Sequence, residues 1–296
     1  MTLSDTANAT GPRGLDHLVI GVNDLDAAGS LYERLGFKVG ARNRHPWGTE
    51  NRIVQFPGSF LELISVGDAS AIPQPAPGRF SFGAFVQEAL TRGEGLAMLV
   101  LESRDSEADN RAFKAAGIGD FAPFFFERQA RRPTGEEVRV AFSLAFADNP
   151  DAPECGFFVC QQHEPQNFWN PAFQSHPNGV TGLSSAIMVA DEPARHRAFL
   201  DAFTGGAEVL EGNADLVWTL PRGRIDVLDP EAAAAIYHVE PAPTPTHFLG
   251  FCVTVPALDA VAARLEAQAI SFMRGDERLV VPAEAAMGCV IAFEQA

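Results

Sequence analysis

"GLDHLVIGVNDLDAAGSLYERLGF" (residues 14–37) and "GLAMLVLESRDSEADNRAFKAAGI" (95–118) align without a gap. Gly, Leu, Leu, Val, Asp, Ala and Gly recur at matched positions. Each stretch begins with a strand-like run of about eight residues. An aspartate then stands where a helix N-cap belongs, Asp24 or Asp105, and about twelve residues of helical pattern follow. A third copy begins at Gly182, "GLSSAIMVADEPARHRAFLDAFTG". A fourth places Val255, Leu258, Asp259, Ala260 and Glu266 on Val22, Leu25, Asp26, Ala27 and Glu33. Strand-rich sequence broken by turn residues comes after each helix: 37–45, 51–56 and 60–66; 121–129, 137–147 and 156–162; 207–211, 215–220 and 224–228; 271–274, 278–281 and 288–294. The spacing predicts an α+β protein built from four βαβββ modules.

Composition narrows the class. The chain has 296 residues, 46% hydrophobic and 20% charged, enough to bury a core in two domains or one large one. A formal net charge of −16 argues against nucleic acid or an anionic membrane as the main partner, because phosphate binding needs clustered Lys and Arg. The nearest approach to such a cluster, Arg128, Arg131 and Arg132, reads as a solvated turn. Cys155, Cys160, Cys252 and Cys289 form no C-x-x-C pair and are expected as free thiols in a reducing cytoplasm. The start, "MTLSDTANATGPRG", has neither the basic residues nor the apolar core of a secretory signal. Residues 1–13 are expected as a disordered tail. No apolar run approaches the ~18 residues of a membrane span. A cytoplasmic protein is expected, and because four modules can pair within one chain, it is expected as a monomer or a homodimer.

This organisation resembles the vicinal oxygen chelate superfamily: glyoxalase I, bleomycin- and fosfomycin-resistance proteins, and extradiol dioxygenases. "LDHLVIGVNDLDAAGSLYERLGFKV" and "FLELISV" carry the resemblance most clearly, and "RHPWGTENRIVQF" is similar to the glyoxalase-like domain proteins. The resemblance implies modules paired into curved mixed sheets. It divides the chain into an N-terminal domain over 14–165, a linker over 166–179, and a C-terminal domain of two degenerate modules over 180–296. It also implies metal ligands on the first and last strands of a module. Those positions hold His17 and Glu62, each a polar residue in an apolar strand, where an unpartnered polar group costs roughly 1–3 kcal/mol. His17 either satisfies its nitrogens on the backbone or binds something. Imidazole and carboxylate together suit Zn, Ni, Mn or Fe(II). The other copies depart from the pattern. His17 aligns with Met98, Ser185 and Gly250, and Glu62 with about Val159, Asp226 and Ala292, so copies three and four read as structural.

Three features could complete a site. His45, Thr49 and Asn51 lie in "RHPWGTEN", where Gly48 permits a tight turn. The loop reads as a hairpin turn or as the place where a substrate group is held, with His45 as a catalytic residue and Thr49 and Asn51 as substrate contacts. His163 follows the last strand of the second copy, as a metal ligand reaching across or as a linker residue. "FAPFFFERQ" reads as core strand or as the mouth of an apolar pocket. Phe168, Trp169 and Phe173 pack the linker down or line a pocket. His176 reads as turn and His196 as an exposed helix residue. The expected function is that of a metal-dependent isomerase or lyase of glyoxalase type, acting on a compound with adjacent oxygens, with Glu62 as ligand or base. Two alternatives stand beside it. One is a metal-free binding or resistance protein. The other is a non-haem Fe(II) dioxygenase using His17, Glu62 and either His45 or His163.

Overall fold

The structure, a computed structural model, describes residues 11–131, 135–241 and 245–296. The first module contains β1 (Leu15–Gly21), α1 (Leu25–Arg34), β2 (Asn43–Arg44), β3 (Thr49–Phe56) and β4 (Ser59–Val66). After α2 (Phe82–Arg92), the second contains β5 (Gly95–Glu102), α3 (Ser106–Ala116), β6 (Phe124–Arg131), β7 (Glu137–Ala147) and β8 (Gly156–Gln162). The short α4 (Pro165–Phe168) leads into the third module: β9 (Gly182–Val189), α5 (Arg197–Thr204), β10 (Glu208–Glu211), β11 (Asp215–Thr219) and β12 (Arg224–Leu228). After α6 (Pro230–Tyr237), the fourth has β13 (His247–Val255), α7 (Leu258–Ala267), β14 (Met273–Arg274), β15 (Arg278–Val281) and β16 (Val290–Gln295).

These strands make two curved mixed sheets of eight, with one topology used twice: β2-β3-β4-β1-β5-β8-β7-β6 and β10-β11-β12-β9-β13-β16-β15-β14. Within a module the first and last strands run parallel, and between modules β1 meets β5, and β9 meets β13, antiparallel. The α+β fold of four paired βαβββ modules is thus as the repeat predicts. The helix starts agree as well. Asp24 accepts from the N–H groups of Asp26 and Ala27, and Asp105 from that of Ala108, satisfying donors that the first helical turn leaves free.

One large apolar core lies between the sheets. It includes Leu18, Ile20 and Tyr32 from the first half and Ala186, Leu200 and Phe293 from the second. Phe157 joins the halves, with ring centroids 4.8 Å from Phe199 and 5.4 Å from Phe248. The opposite face of each sheet has its own smaller core. Phe82 and Val86 of α2 pack on the first, and Ala233 and Tyr237 of α6 on the second. The repeat does not announce these two helices, because they sit between copies. α2 follows the Pro-rich "IPQPAPG", which reads as loop.

Two expectations change. The strand expected over 37–45 shrinks to Asn43–Arg44, because Gly40 bonds Ile53 O at 2.8 Å without entering a ladder. Arg13, placed by sequence in the tail, is buried. Its Nε lies 3.2 Å from Asp109 Oδ1, and its Nη1 donates to Phe203 O at 2.8 Å. Residues 1–10 of that expected tail, and Arg132, lie outside the described residues. No described helix is long and apolar enough to cross a membrane.

Candidate functional site

The face of the first sheet that α2 partly covers carries the candidate site, and a β-bulge shapes it. Along β1, Leu15 faces Leu101 and His17 faces Val100, so Asp16 is an extra residue in the ladder. Strand neighbours normally point to opposite faces, and a bulge re-aims one of them. Here Asp16 Oδ1 lies 2.6 Å from His17 Nδ1, and Gln162 Nε2 donates to Asp16 Oδ2 at 3.2 Å. With Nδ1–H donating to Asp16, His17 Nε2 keeps its lone pair. The imidazole stacks on Phe60, centroids 4.2 Å apart, and only 4% of the residue is exposed.

Glu62 on β4 shares this face with Phe60, and one oxygen, Oε2, lies 3.9 Å from His17 Nε2. Asn51 Nδ2 donates to the other, Oε1. The same amide nitrogen lies 3.3 Å from His45 Nε2, and His45 Nδ1 lies 2.8 Å from Thr49 Oγ1. His45 therefore accepts from Asn51 and donates to Thr49, and it stacks on Trp47 at 4.6 Å. Burial holds its pKa down, the Glu62 charge pulls it up, and Arg128 pushes it down again. The net lowering keeps this imidazole neutral.

His17, Glu62, Asn51, His45, Cys160 and a wall of phenyl rings line a cavity of about 60 Å³. Burial, aided by Asp16 and Glu62, pushes the Cys160 thiol well up, so it stays protonated. A wider vestibule of about 530 Å³ adjoins the cavity. Ile53, Arg128 and Phe168 line both spaces and form the throat between them.

Of the residues chosen from sequence, His17, Glu62, His45 and Asn51 come together. Thr49 is 2% exposed and its hydroxyl serves His45, so it stands behind that ring and does not line the cavity. Both His45 nitrogens are engaged, one by Thr49 and one by Asn51. His163 is exposed, with Nε2 2.8 Å from Ser143 Oγ and its ring against Phe125, so it does not reach the site. Arg128 belongs to no solvated turn: it sits on β6 at the throat. His176 and His196 are buried ties. His176 accepts from Lys38 N–H at 2.9 Å and donates to Gln55 O at 2.8 Å. His196 lies 3.1 Å from Asn149 Nδ2 and 3.2 Å from Thr246 Oγ1. Sequence reasoning missed Asp16, Cys160 and Arg128. Only Asp16 left a signal, two adjacent polar residues in an apolar strand.

Comparison with known proteins bears on the family. A sequence model described as the glyoxalase-like domain matches residues 15–204, more than half of the chain. No curated protein matches. Among solved structures, a hypothetical protein from Staphylococcus aureus is 14% identical, with 96% of this chain and 100% of that one covered and a TM-score of 0.67. The Mn(II)-bound glyoxalase from Novosphingobium aromaticivorans is 12% identical, over 96% of this chain and 82% of that one, with a TM-score of 0.56. Homoprotocatechuate 2,3-dioxygenase from Arthrobacter globiformis is 12% identical, over 97% and 81%, with a TM-score of 0.56. At such identities these three likenesses speak for the fold alone. The family match over 15–204, on a chain with four βαβββ modules in two curved sheets, makes this protein a member of the glyoxalase-like domain family within the vicinal oxygen chelate superfamily.

Proposed function

We propose that the first-sheet cavity is the reaction site of a glyoxalase-type isomerase or lyase. It works on a small molecule with two adjacent oxygens, with a divalent ion between His17 and Glu62. The carrying observation is the approach of His17 Nε2 and Glu62 Oε2 at 3.9 Å, two lone-pair donors that make no hydrogen bond to one another. Imidazole plus carboxylate is a donor set for Mn, Fe(II), Ni or Zn. Asp16 behind His17 is the backing carboxylate that ligand histidines usually have. Two side chains fill part of a coordination shell and leave the other positions to water and to the substrate's oxygens. When bound, the ion supplies Lewis acidity to those oxygens.

The chain's own residues do the rest. Asp16 fixes the His17 tautomer. Asn51 anchors Glu62 Oε1 and leaves Oε2 free toward the cavity. Glu62 would hold the ion through Oε2, or would use that oxygen, when it is off the ion, as the base that moves a proton between neighbouring carbons. Phe60, Phe142 and Phe158 exclude water. The dioxygenase alternative needs a second imidazole, yet His45 Nε2 is engaged by Asn51 and His163 lies outside.

A specific observation favours a second reading, a metal-free binding protein. Among the described residues, no three His, Cys, Asp or Glu side chains form a metal-holding group. Metal analysis of protein purified without chelator, followed by calorimetric titration with Mn(II), Fe(II), Ni and Zn, separates the two. The enzyme reading expects one ion per chain and a steep loss of affinity in Glu62→Gln with the fold kept. No binding by either protein, or equal binding by both, leaves the binder.

A further inference from the structure

We infer that Arg128 is an anion-recognition residue at the throat, and that the natural ligand is a small carboxylic acid. This inference rests on the reading of the cavity as the substrate site. Arg128 stands on β6 across from Val140 and lines both the inner cavity and the vestibule. Among the described residues its guanidinium has no hydrogen-bond partner and no carboxylate within ion-pair distance. Burial lowers its pKa and the Glu62 charge raises it, which is the signature of a cation drawn partly out of water with its counter-charge out of reach. Arg128 is half-buried, so its nitrogens keep some water and gain from a counter-charge brought to the throat. Most other arginines of the first half have carboxylate partners: Arg13 with Asp109, Arg42 and Arg52 with Asp26, Arg139 with Glu127. A chain with a net charge of −16 does not lack carboxylates to pair with Arg128. The throat leaves the planar, five-donor fork free for an anion from outside.

A second unpartnered donor lines the same cavity. Trp47 is 8% exposed, and its buried indole N–H has no partner among the described residues. Beside these two donors, the inner lining is dominated by phenyl rings, Phe60, Phe126, Phe142 and Phe168 among them. A single guanidinium in an apolar throat suits one negative charge, hence carboxylate before phosphate. The sizes divide the ligand. The space of about 60 Å³ takes the head with adjacent oxygens, and the vestibule of about 530 Å³ is of the size that takes the body of a small molecule. A 2-hydroxy or 2-oxo acid, with its body in the vestibule, meets these demands.

The test uses the whole protein and named probes: mandelate, phenylpyruvate, lactate and pyruvate, with mandelamide as a neutral control and phenyl phosphate as the dianionic one. Binding is read by calorimetry. At least one acid should bind, and mandelamide should bind at least 10-fold more weakly than mandelate. Arg128→Gln should lose at least 10-fold for the acid, and Arg128→Lys should recover only part of it. Thermal melts confirm that each variant is folded. Ile53→Trp, which blocks the throat and leaves Arg128 in place, should abolish binding. Acid binding that survives Arg128→Gln but not Ile53→Trp overturns this inference and leaves the site reading standing. Acid binding that survives both variants places the ligand elsewhere and overturns the site reading itself. Tighter binding of phenyl phosphate than of every acid, or no binding of any acid, also overturns the inference.

Discussion

The two sheets are built alike down to their irregularities, and they differ at the position that matters. In β9, as in β1, one residue is extra against the neighbouring module: Ser184 lies between Leu183, which faces Val253, and Ser185, which faces Cys252. The registers also agree. His17 faces Phe60 with Glu62 two residues on, and Ser185 faces Arg224 with Asp226 two residues on. In the first sheet the position facing the imidazole holds a phenyl ring. In the second it holds a cation that serves the cup's own carboxylates. Arg224 Nε lies 3.0 Å from Asp226 Oδ1, and its other nitrogens meet both oxygens of Glu294 at 2.9 and 3.0 Å. Ser185 donates to Asp226 at 2.6 Å. The second cup is closed by its own charges. In the first, Glu62 has an amide and two imidazoles around it and no arginine within ion-pair distance among the described residues. One scaffold thus shows what a satisfied carboxylate and an available one look like.

The largest expected effect breaks that comparison directly. Arg224→Met strands Asp226 and Glu294, both largely buried, and should destabilise the fold by about 3–5 kcal/mol in urea unfolding. Glu62→Gln removes a carboxylate that has no internal cation, and Asn51 can still donate to the new amide oxygen. It should cost no more than about 1 kcal/mol. A loss below about 1 kcal/mol in Arg224→Met would mean that the second cup does not depend on its own cation.

A smaller effect probes the bulge. Both sheets have it, but only the first fills it with a carboxylate next to an imidazole. Asp16→Asn keeps the shape and removes the charge that backs His17. Under the enzyme reading, divalent-ion affinity should fall about 10–100-fold, and the fold should remain. Unchanged affinity in calorimetric titration would make Asp16 a structural plug and detach the bulge from the chemistry.

Much of this was legible in the chain. Gly14 to Phe37 against Gly95 to Ile118 contained the module, and the pattern of breaks located most strands. His17 and Glu62 stood out because a polar residue in an apolar strand needs a reason. What stayed hidden depends on contacts between distant segments. Arg128 looks like surface beside Arg131 and Arg132, and only the pairing of β6 with β7 turns it toward the throat. His163 looks like a ligand because it follows the last strand of the second module, yet the chain has already left the sheet there and Ser143 takes its nitrogen. His176 and His196 read as turn and surface because their partners lie more than forty residues away. Asp16 was on the page, but a bulge cannot be told from an ordinary strand until the facing residues are known.

The smallest effect concerns the seam that both halves share. His176 follows α4 and is pinned in one tautomer: Nδ1 accepts from Lys38 N–H and Nε2–H donates to Gln55 O. Burial lowers its pKa most, the Gln55 bond raises it, and the Lys38 charge lowers it, for a net fall. The sign follows from proton linkage. Below an unfolded value of about 6.5, the unfolded chain binds a proton that the folded one resists, so stability is fully present above that pH and declines as pH falls through it. His45 and His196 are lowered too, chiefly by burial, and act in the same direction. A protonated Nδ1 could no longer accept from Lys38, which would open the packing of Phe37 and Phe56 against this ring. His176→Gln can keep both bonds through its amide and does not titrate. It should cost at most about 1 kcal/mol at pH 7.5, where the native tautomer is at its best. Between pH 7.5 and 5 it should then lose less stability than the wild type, so that the two urea midpoints converge. Parallel midpoints across that range would remove His176 from the acid response and assign it to His45 and His196.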